Sequence, residues 1–560
     1  ISDALWLCAL CGAAFFWRLG YPSLFDFNEG LYVQAAREMF LRGDWITGTV
    51  NGVPFYDKPP LALWCVAVAF RAFGVSEFTA RLPVAIAAAL TALATYGMAR
   101  AAMGRWVGLS AATFVALNPM FMGTTRQMTM DIHQTWWVTA AIGAFWMVER
   151  PGQTRKPIWA MAFWACCGLG FMAKSFPGLL PIPAVLVYIA VTSRRSLHTV
   201  WSRLVQMQPL LGPAILAAVV APWHIAAYAR SGSFFVDEYW TYHHVGLLKA
   251  TAFDHAQPLW YYVPMLLIGF FPWSVWLPFV RLRRDDFAIG DESSRTRVLA
   301  AVWALVTFLA FSAMRSKLVS YLLPMYPACA ILAASLLAEQ IGTWRARLAA
   351  SVFAVMGVIC LAAVGVTAAV LAPMARASTD PEAISLATSA MFAFAYLALS
   401  GLGVGLTAAG IVGWRDLNRC VGAAAAAMMW FVVVSFAIGL PAYEEAVNAP
   451  LRRAVADASA RVAQGARLVI HIGRPRRPSV FFYLPEAIFR RPIAADRQEP
   501  ILLETWDADP VRDFIDRNGM SLVLGDNDHV ARTLIGYDAT LVSRHRRWAL
   551  FEVSPRTELQ

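Results

Sequence analysis

The chain has 560 residues, 59% hydrophobic and only 15% charged, against about 25% charged in an ordinary soluble domain. A mean hydropathy of +0.53 goes with a series of apolar runs of roughly 17 to 25 residues, the length that crosses a hydrocarbon layer about 30 Å thick, and this excludes a water-soluble fold. The formal charge of +11 is scattered over short loops between the runs, so it points to the anionic face of a membrane and not to nucleic acid.

In chain order the runs lie at about 3–19, 82–99, 106–122, 132–148, 157–173, 176–192, 209–228, 258–280, 298–313, 318–338, 348–372, 389–413 and 420–440. They predict thirteen transmembrane helices. The first has no A-x-A cleavage site after it and reads as a retained helix. A further run, 61–70, sits between Pro60 and Arg71; it is roughly 15 Å long as a helix, too short to cross. With that reading one set of loops holds seventeen Lys and Arg and the opposite loops after residue 82 hold seven. The richer set is then cytoplasmic, together with the N-terminus. The segment 20–81, the loop 229–257 and the tail from 441 to 560 fall outside. The tail, with strand-like stretches Arg467–Gly473, Ser521–Gly525 and Arg547–Val553, reads as a small soluble α/β domain following a membrane domain of residues 1–440. The eight cysteines all lie in or beside apolar runs and read as small buried hydrophobes, without metal-site spacing.

Charge and aromatics concentrate in the outer segments. Apolar residues at 31, 32, 35, 36, 39 and 40 have helical spacing and predict a helix lying on the membrane surface, with Asp26, Asn28 and Glu29 at its start. Those three either cap the helix or carry chemistry. Lys58, in Tyr56-Asp57-Lys58-Pro59-Pro60, either snorkels or presents a fixed cation at the interface. Asp131, Lys174, Arg315 and Lys317 fall at outer ends of spans, where an ionisable group is costly unless it faces a cavity or a partner. Together they predict an outward-facing pocket with both signs of charge. Cations suit a phosphate; carboxylates suit a proton or a cationic substrate group. His243 and His244 follow Asp237 and Glu238, but adjacent helical residues point about 100° apart and do not readily share one metal. A metal site therefore reduces to His243 with Asp57, and no cofactor is required. Trp260, Tyr261 and Tyr262 suit an aromatic belt or a sugar ring.

Further order is visible in Asn28-Glu29-x-x-Tyr32-x-x-x-x-Arg37-Glu38-Met39, Gly43-Asp44-Trp45, Tyr56-Asp57-Lys58-Pro59, Ala80-Arg81-Leu82-Pro83, Asp131, Lys174, His243-His244, Trp260-Tyr261-Tyr262-Val263-Pro264, Pro272-Trp273 and Lys317-x-x-x-Tyr321-x-x-Pro324. This ordered set resembles the polyprenyl-phosphate-dependent membrane glycosyltransferases of the C-type fold and, within them, the bacterial aminoarabinose transferases of lipid A. The resemblance implies a monomeric, multi-pass inner-membrane enzyme that moves aminoarabinose from undecaprenyl phosphate to lipid A phosphates on the periplasmic face and so confers polymyxin resistance. It implies catalytic roles for Glu29, Asp131, Asp26 and Asn28. It places the donor phosphate on Lys58, Tyr321, Lys317, Arg315 and Lys174. It gives substrate contacts to Tyr32, Tyr56, Asp57, Arg81, His243, His244, Tyr261 and Tyr262. Two departures stand out: Asn28 occupies the first position of the family's Asp-Glu pair, and Gly246 and Leu247 stand where an Arg is expected, leaving Lys249 or a more distant Arg as a substitute. A phosphate acceptor, already anionic near neutral pH, needs little general-base help, whereas a protein hydroxyl, as in the related O-mannosyltransferases, needs a base such as Glu29 or Asp131. A transporter or flippase would gather its charges near the membrane midplane, not at span ends. A non-catalytic scaffold would leave Lys58, Asp131 and Lys174 replaceable.

Overall fold

The structure is a computed structural model that describes residues 2–193, 196–246, 256–288, 290–338, 343–377, 390–471, 477–490 and 501–556. It opens with α1 (Ser2–Cys11), whose helical path continues to Phe16. Helix α2 (Asn28–Arg42) is largely buried between its neighbours, Arg37 and Glu38 included, and does not lie open on a surface as its spacing predicts; it ends at Gly43, whose φ of +66° is the left-handed conformation that glycine tolerates. A hairpin of β1 (Thr49–Val50) and β2 (Val53–Pro54) and the short α3 (Leu61–Phe73) complete the outer segment. α4 (Glu77–Met103) starts with a reciprocal cap, the Ser76 hydroxyl accepting from the Thr79 amide and Thr79 Oγ1 from the Ser76 amide.

Two spans expected to be continuous are broken. α5 (Arg105–Ala116) and α6 (Pro119–Thr125) bend by 59°, because Asn118 precedes a proline and takes the extended conformation that such residues prefer. α7 (Met130–Glu149) and α8 (Lys156–Lys174) pack against each other as a hairpin. α9 (Pro181–Thr192), α10 (Leu197–Gln206) and α11 (Leu211–Phe235) follow, the last kinked at Gly232, whose φ is +50°, with helical turns beyond it to Gly246. α12 (Tyr262–Gly269) then turns by 120° at Phe270–Pro272 into a 3-10 segment, Trp273–Phe279. α13 (Glu292–Ala313), a 3-10 turn at Val319–Met325, α14 (Tyr326–Ser335), α15 (Thr343–Val366), α16 (Met391–Gly413) and α17 (Leu417–Val434) finish the membrane part.

Among the described residues, seven helices are long and apolar enough to cross a membrane, or nine if each bent pair is one span. The expected thirteen are not reached by length and composition. Three of the expected spans are short apolar helices, Ser2–Phe16, Phe176–Thr192 and Val319–Ser335, and α7 carries Asp131, His133, Gln134, Thr135 and Thr139. α3 is one of the short helices, in keeping with its ten-residue apolar run. Exposed Leu90 and Leu93 on α4, Leu305 and Leu309 on α13, and Val355 and Ile359 on α15 are spaced by three or four residues. They form apolar stripes turned away from the protein, as lipid contact requires.

The last span does not stop at residue 440: helix runs from Leu417 to Val462 and so ties the membrane part to the tail through α18 (Ala449–Val462). The tail is a five-stranded sheet in the order β4-β3-β5-β7-β6. β3 (Leu468–His471) pairs in parallel with β4 (Leu503–Glu504) and β5 (Ser521–Asp526), while β6 (Asp538–His545) and β7 (Trp548–Ser554) complete it antiparallel. Alternate residues of β3 and β5 enter two cores: Leu468, Ile470, Leu522 and Leu524 pack on α18, and Val469 and Val523 on α21 (Ala508–Asn518). This alternation is what a sheet covered on both faces demands. Between β3 and β4 lie two short helices, α19 (Ser479–Tyr483) and α20 (Glu486–Phe489).

Candidate active site

The broken spans, α2 and the tail surround a cavity of about 1160 Å³, large enough for a sugar phosphate and part of its lipid. Its apolar side is built by α6 and α12, the two segments displaced by the bends, through Pro119, Met120, Met265 and Ile268. Irregular backbone at membrane depth is tolerated where it borders such a space. On its polar side are Asn28 and Tyr32, one turn apart on α2, with Asp57, Lys58, Asp131, Lys174, His243 and Tyr321.

Two groups of charges meet there. Asp57 accepts from Tyr32 Oη at 2.6 Å through Oδ2; Lys58 Nζ lies 2.5 Å and His243 Nδ1 2.8 Å from its Oδ1. Burial pushes the Asp57 carboxyl up, but the Lys58 ammonium and His243 outweigh this and hold it well below the usual carboxylate range. Burial and the Asp57 charge keep the Tyr32 phenol protonated far above its ordinary value, so it stays a donor. The second group pairs Asp131 with Lys174. Asp131 is in the first turn of α7 and Lys174 is the last residue of α8, so each sits at the helix end whose dipole favours its charge, and the hairpin brings the ends together. Lys174 Nζ also lies 4.5 Å from the centre of the Tyr321 ring.

Other expected site residues do not reach the cavity. Glu29 and Arg81 are fully buried against each other, with Arg81 Nε and Nη2 each 2.7 Å from the carboxylate, which also accepts from the Phe25 and Met128 amides. Every lone pair of Glu29 is committed, and neither side chain of this pair lines the cavity. Asp26 turns to the tail, where Ser479 donates to it from its amide and hydroxyl at 2.9 and 2.6 Å. Tyr56 is buried behind the cavity, hydrogen-bonded to Thr47 and Ser231 and packed on Trp223 and Phe235. Lys317 is buried on the carbonyls of Gln257 and Met314, Arg315 is exposed, and His244 bonds Ser175 and the Tyr239 carbonyl. Tyr262 donates to the Leu318 carbonyl and packs on Tyr261, both outside the cavity lining. Lys249 lies outside the described residues.

Several lining residues had no signal in the sequence. Asn51, on the β1–β2 turn, and Phe481 and Glu504 of the tail all face the cavity, although the last two are more than 400 residues from α2 in sequence. Gln127 and Thr129, just ahead of Asp131, line it too; a polar cluster before an apolar run was their one visible sign. Asp57 and His243 do meet, but Lys58 shares the same carboxylate oxygen, a cation where a metal ion would have to stand. Among the described residues no three His, Cys, Asp or Glu side chains gather as a metal site.

A family model described as dolichyl-phosphate-mannose-protein mannosyltransferase matches residues 57–226. The undecaprenyl phosphate-α-4-amino-4-deoxy-L-arabinose arabinosyl transferase of Pectobacterium carotovorum is 31% identical over 327 residues, 57% of this chain and 56% of that protein. That of Aeromonas salmonicida is 30% identical over 385 residues, 67% of each. The chain thus spans between about half and two thirds of the length of these curated relatives. Among solved structures, ArnT from Cupriavidus metallidurans bound to undecaprenyl phosphate superposes with a TM-score of 0.77 at 22% identity, covering 98% of this chain and 97% of that one. The archaeal oligosaccharyltransferase AglB from Archaeoglobus fulgidus reaches 0.51 at 12% identity, covering 98% and 74%. These two superpositions speak for the fold. On the strength of the Aeromonas match, the chain belongs to the undecaprenyl phosphate-α-4-amino-4-deoxy-L-arabinose arabinosyl transferase family.

Proposed function

We propose that the chain transfers 4-amino-4-deoxy-L-arabinose from undecaprenyl phosphate to a phosphate of lipid A at the periplasmic face of the bacterial inner membrane. The observation that carries this reading is that two lysines, Lys58 and Lys174, each matched to an aspartate, line the same cavity as apolar residues of the broken spans. The ammonium groups suit the donor phosphate and stabilise the charge that grows on it as it leaves. The apolar residues suit the first part of the prenyl chain.

In the reaction an oxygen of the acceptor phosphate forms a bond to the anomeric carbon while the bond from that carbon to the donor phosphate oxygen breaks, releasing undecaprenyl phosphate. The attacking oxygen is already anionic, so Asn28 at the head of α2 is no handicap. Asp131 and Asp57 are then free to orient the ammonium of the aminosugar, with Tyr32 donating within the same group. Attack opposite the leaving phosphate inverts the anomeric centre. In this reading the chain crosses thirteen times, the N-terminus is cytoplasmic and the tail periplasmic, in line with the excess of Lys and Arg on one set of loops.

The test is lipid A mass spectrometry and polymyxin survival in a Gram-negative strain lacking its own aminoarabinose transferase, complemented with this chain or with Lys58→Ala. Wild type should add the pentosamine mass and Lys58→Ala should lower this addition about 100-fold at equal expression. Unmodified lipid A from well-expressed wild type with donor present would sink the assignment. The mannosyltransferase family match over residues 57–226 favours a second reading, a hydroxyl acceptor, in which Asp131 takes the proton; a glycosylated protein and unmodified lipid A in the same strain would select it.

A further inference from the structure

α2 carries neighbouring residues Arg37 and Glu38, both buried (3% and 0% exposed) and neither facing the cavity. Arg37 reaches into the tail. Its Nη1 donates to the Phe481 carbonyl at 3.0 Å, which also accepts from the Leu484 amide, and its Nη2 donates to the carbonyl of Leu484, the residue just past the end of α19, at 2.9 Å. The guanidinium also lies 5.7 and 5.5 Å from the ring centres of Phe482 and Phe489. At the opposite end of α19, Asp26 accepts from the amide and hydroxyl of Ser479. The short helix is therefore gripped by a carboxylate at its start and a guanidinium at its end. It also lies directly on α2, since a Cβ at Gly30 would come within 2.6 Å of the Ser479 nitrogen.

Glu38 points the other way, into the hairpin, where it accepts from Thr49 Oγ1 at 2.5 Å and from the Asn51 and Gly52 amides at 2.7 and 3.1 Å. Asn51, so fixed, pairs with the tail as a strand would. Its Nδ2 donates to the Leu502 carbonyl at 2.8 Å, its Oδ1 accepts from the Leu502 amide at 2.9 Å, and its carbonyl accepts from the Ile501 amide at 2.8 Å. Two residues on is Glu504. Both routes out of α2 thus end at Phe481 and Glu504, which line the cavity.

We propose that the tail is a working wall of the active site and that Asp26, Arg37 and Asn51 are positioning residues that set its register on the cavity. This rests on the transferase reading above. It gives a role to the Arg37-Glu38 part of the α2 motif, which the chemistry leaves unused, and it moves Asp26 from catalysis to positioning.

The test uses the full chain in nanodiscs with undecaprenyl-phosphate-linked aminoarabinose as donor and lipid A as acceptor. Arg37→Met should lower kcat/KM at least thirtyfold, while sugar-free undecaprenyl phosphate still binds within twofold of wild type, because Lys58 and Lys174 are untouched. Arg37→Lys, able to serve one carbonyl of the two, should recover part of the loss. Hydrogen exchange on the same samples needs no turnover: Arg37→Met should loosen 479–484 and Asn51→Ala should loosen 501–504, with β3, β5 and β7 still protected. Wild-type transfer by Arg37→Met, loss of lipid-phosphate binding in step with transfer, or loosening of the whole sheet would each overturn the proposal. Wild type that modifies no lipid A overturns the transferase reading instead, and the exchange pattern still decides whether α2 sets the tail.

Discussion

Two ion-paired regions of this molecule put carboxylate–cation pairs to opposite ends. Glu29 and Arg81 form a closed pair: both side chains are inaccessible, and backbone amides and carbonyls take up what the pair leaves over. The groups around Lys58 and Lys174 are open: each lysine has one carboxylate partner, retains 10 to 15% side-chain exposure, and faces a cavity. A closed pair cannot exchange its partner for a ligand without leaving a buried charge stranded, whereas an open one can. The number of partners and the remaining exposure, not burial alone, separate the charge closed into the fold from the charge left facing the cavity.

Breaking the closed pair should have the largest effect. Arg81→Met strands the buried Glu29 carboxylate and leaves the Leu19, Pro22 and Ser23 carbonyls without their donor; it should cost about 3–5 kcal/mol of stability, seen as loss of folded protein in a detergent thermal-unfolding assay. A variant that folds normally would erase the distinction drawn here. In the open region the loss should fall on function. Lys58→Ala and Lys174→Ala should each reduce transfer about 100-fold, the scale of roughly 2–3 kcal/mol for a hydrogen bond to a charged group, with unfolding midpoints close to wild type. Weaker again is Asp131→Asn. For a phosphate acceptor it should reduce transfer about tenfold, near 1.4 kcal/mol, mainly through KM, whereas a collapse of kcat would mark Asp131 as a base and favour a hydroxyl acceptor.

The smallest effect concerns pH. Asp57 has its folded pKa depressed, so its contribution to stability is fully present above the ordinary carboxylate value near 3.9 and is lost only as pH falls through the depressed value. In a His243→Gln background, which removes the imidazole beside this carboxylate, the difference in unfolding midpoint with and without Asp57→Asn should therefore be flat between pH 5 and 8. A slope in that window would mean that Lys58 does not hold the carboxylate as its distance indicates.

Much of this site is legible in the linear sequence, because ionisable residues beside apolar runs are expensive wherever they occur. That cost singles out Lys58, Asp131 and Lys174, and all three reach the cavity. It singles out Glu29, Arg81 and Lys317 equally, and these turn inward to partners. Local hydropathy sets the cost of a charge without revealing what relieves it. The breaks were signalled only weakly, by Asn118-Pro119 and by Phe271-Pro272, inside runs whose hydropathy reads as continuous. They matter because displacing α6 and α12 from their spans opens the apolar side of the cavity.

The sequence by itself determined that the chain lives in a membrane, where its apolar helices run, which loops carry the basic excess, and that an α/β tail follows the last span. Each is a property of composition and periodicity over ten to twenty residues, and the bilayer reads it without reference to the rest of the chain. Tertiary structure alone decided that Glu29 closes on Arg81, that Asp57 gathers Tyr32, Lys58 and His243, and that Phe481 and Glu504 of the tail come to border the cavity beside Asn28 and Tyr32. Those outcomes depend on packing between segments tens to hundreds of residues apart, and no local pattern records which buried charge will find which partner.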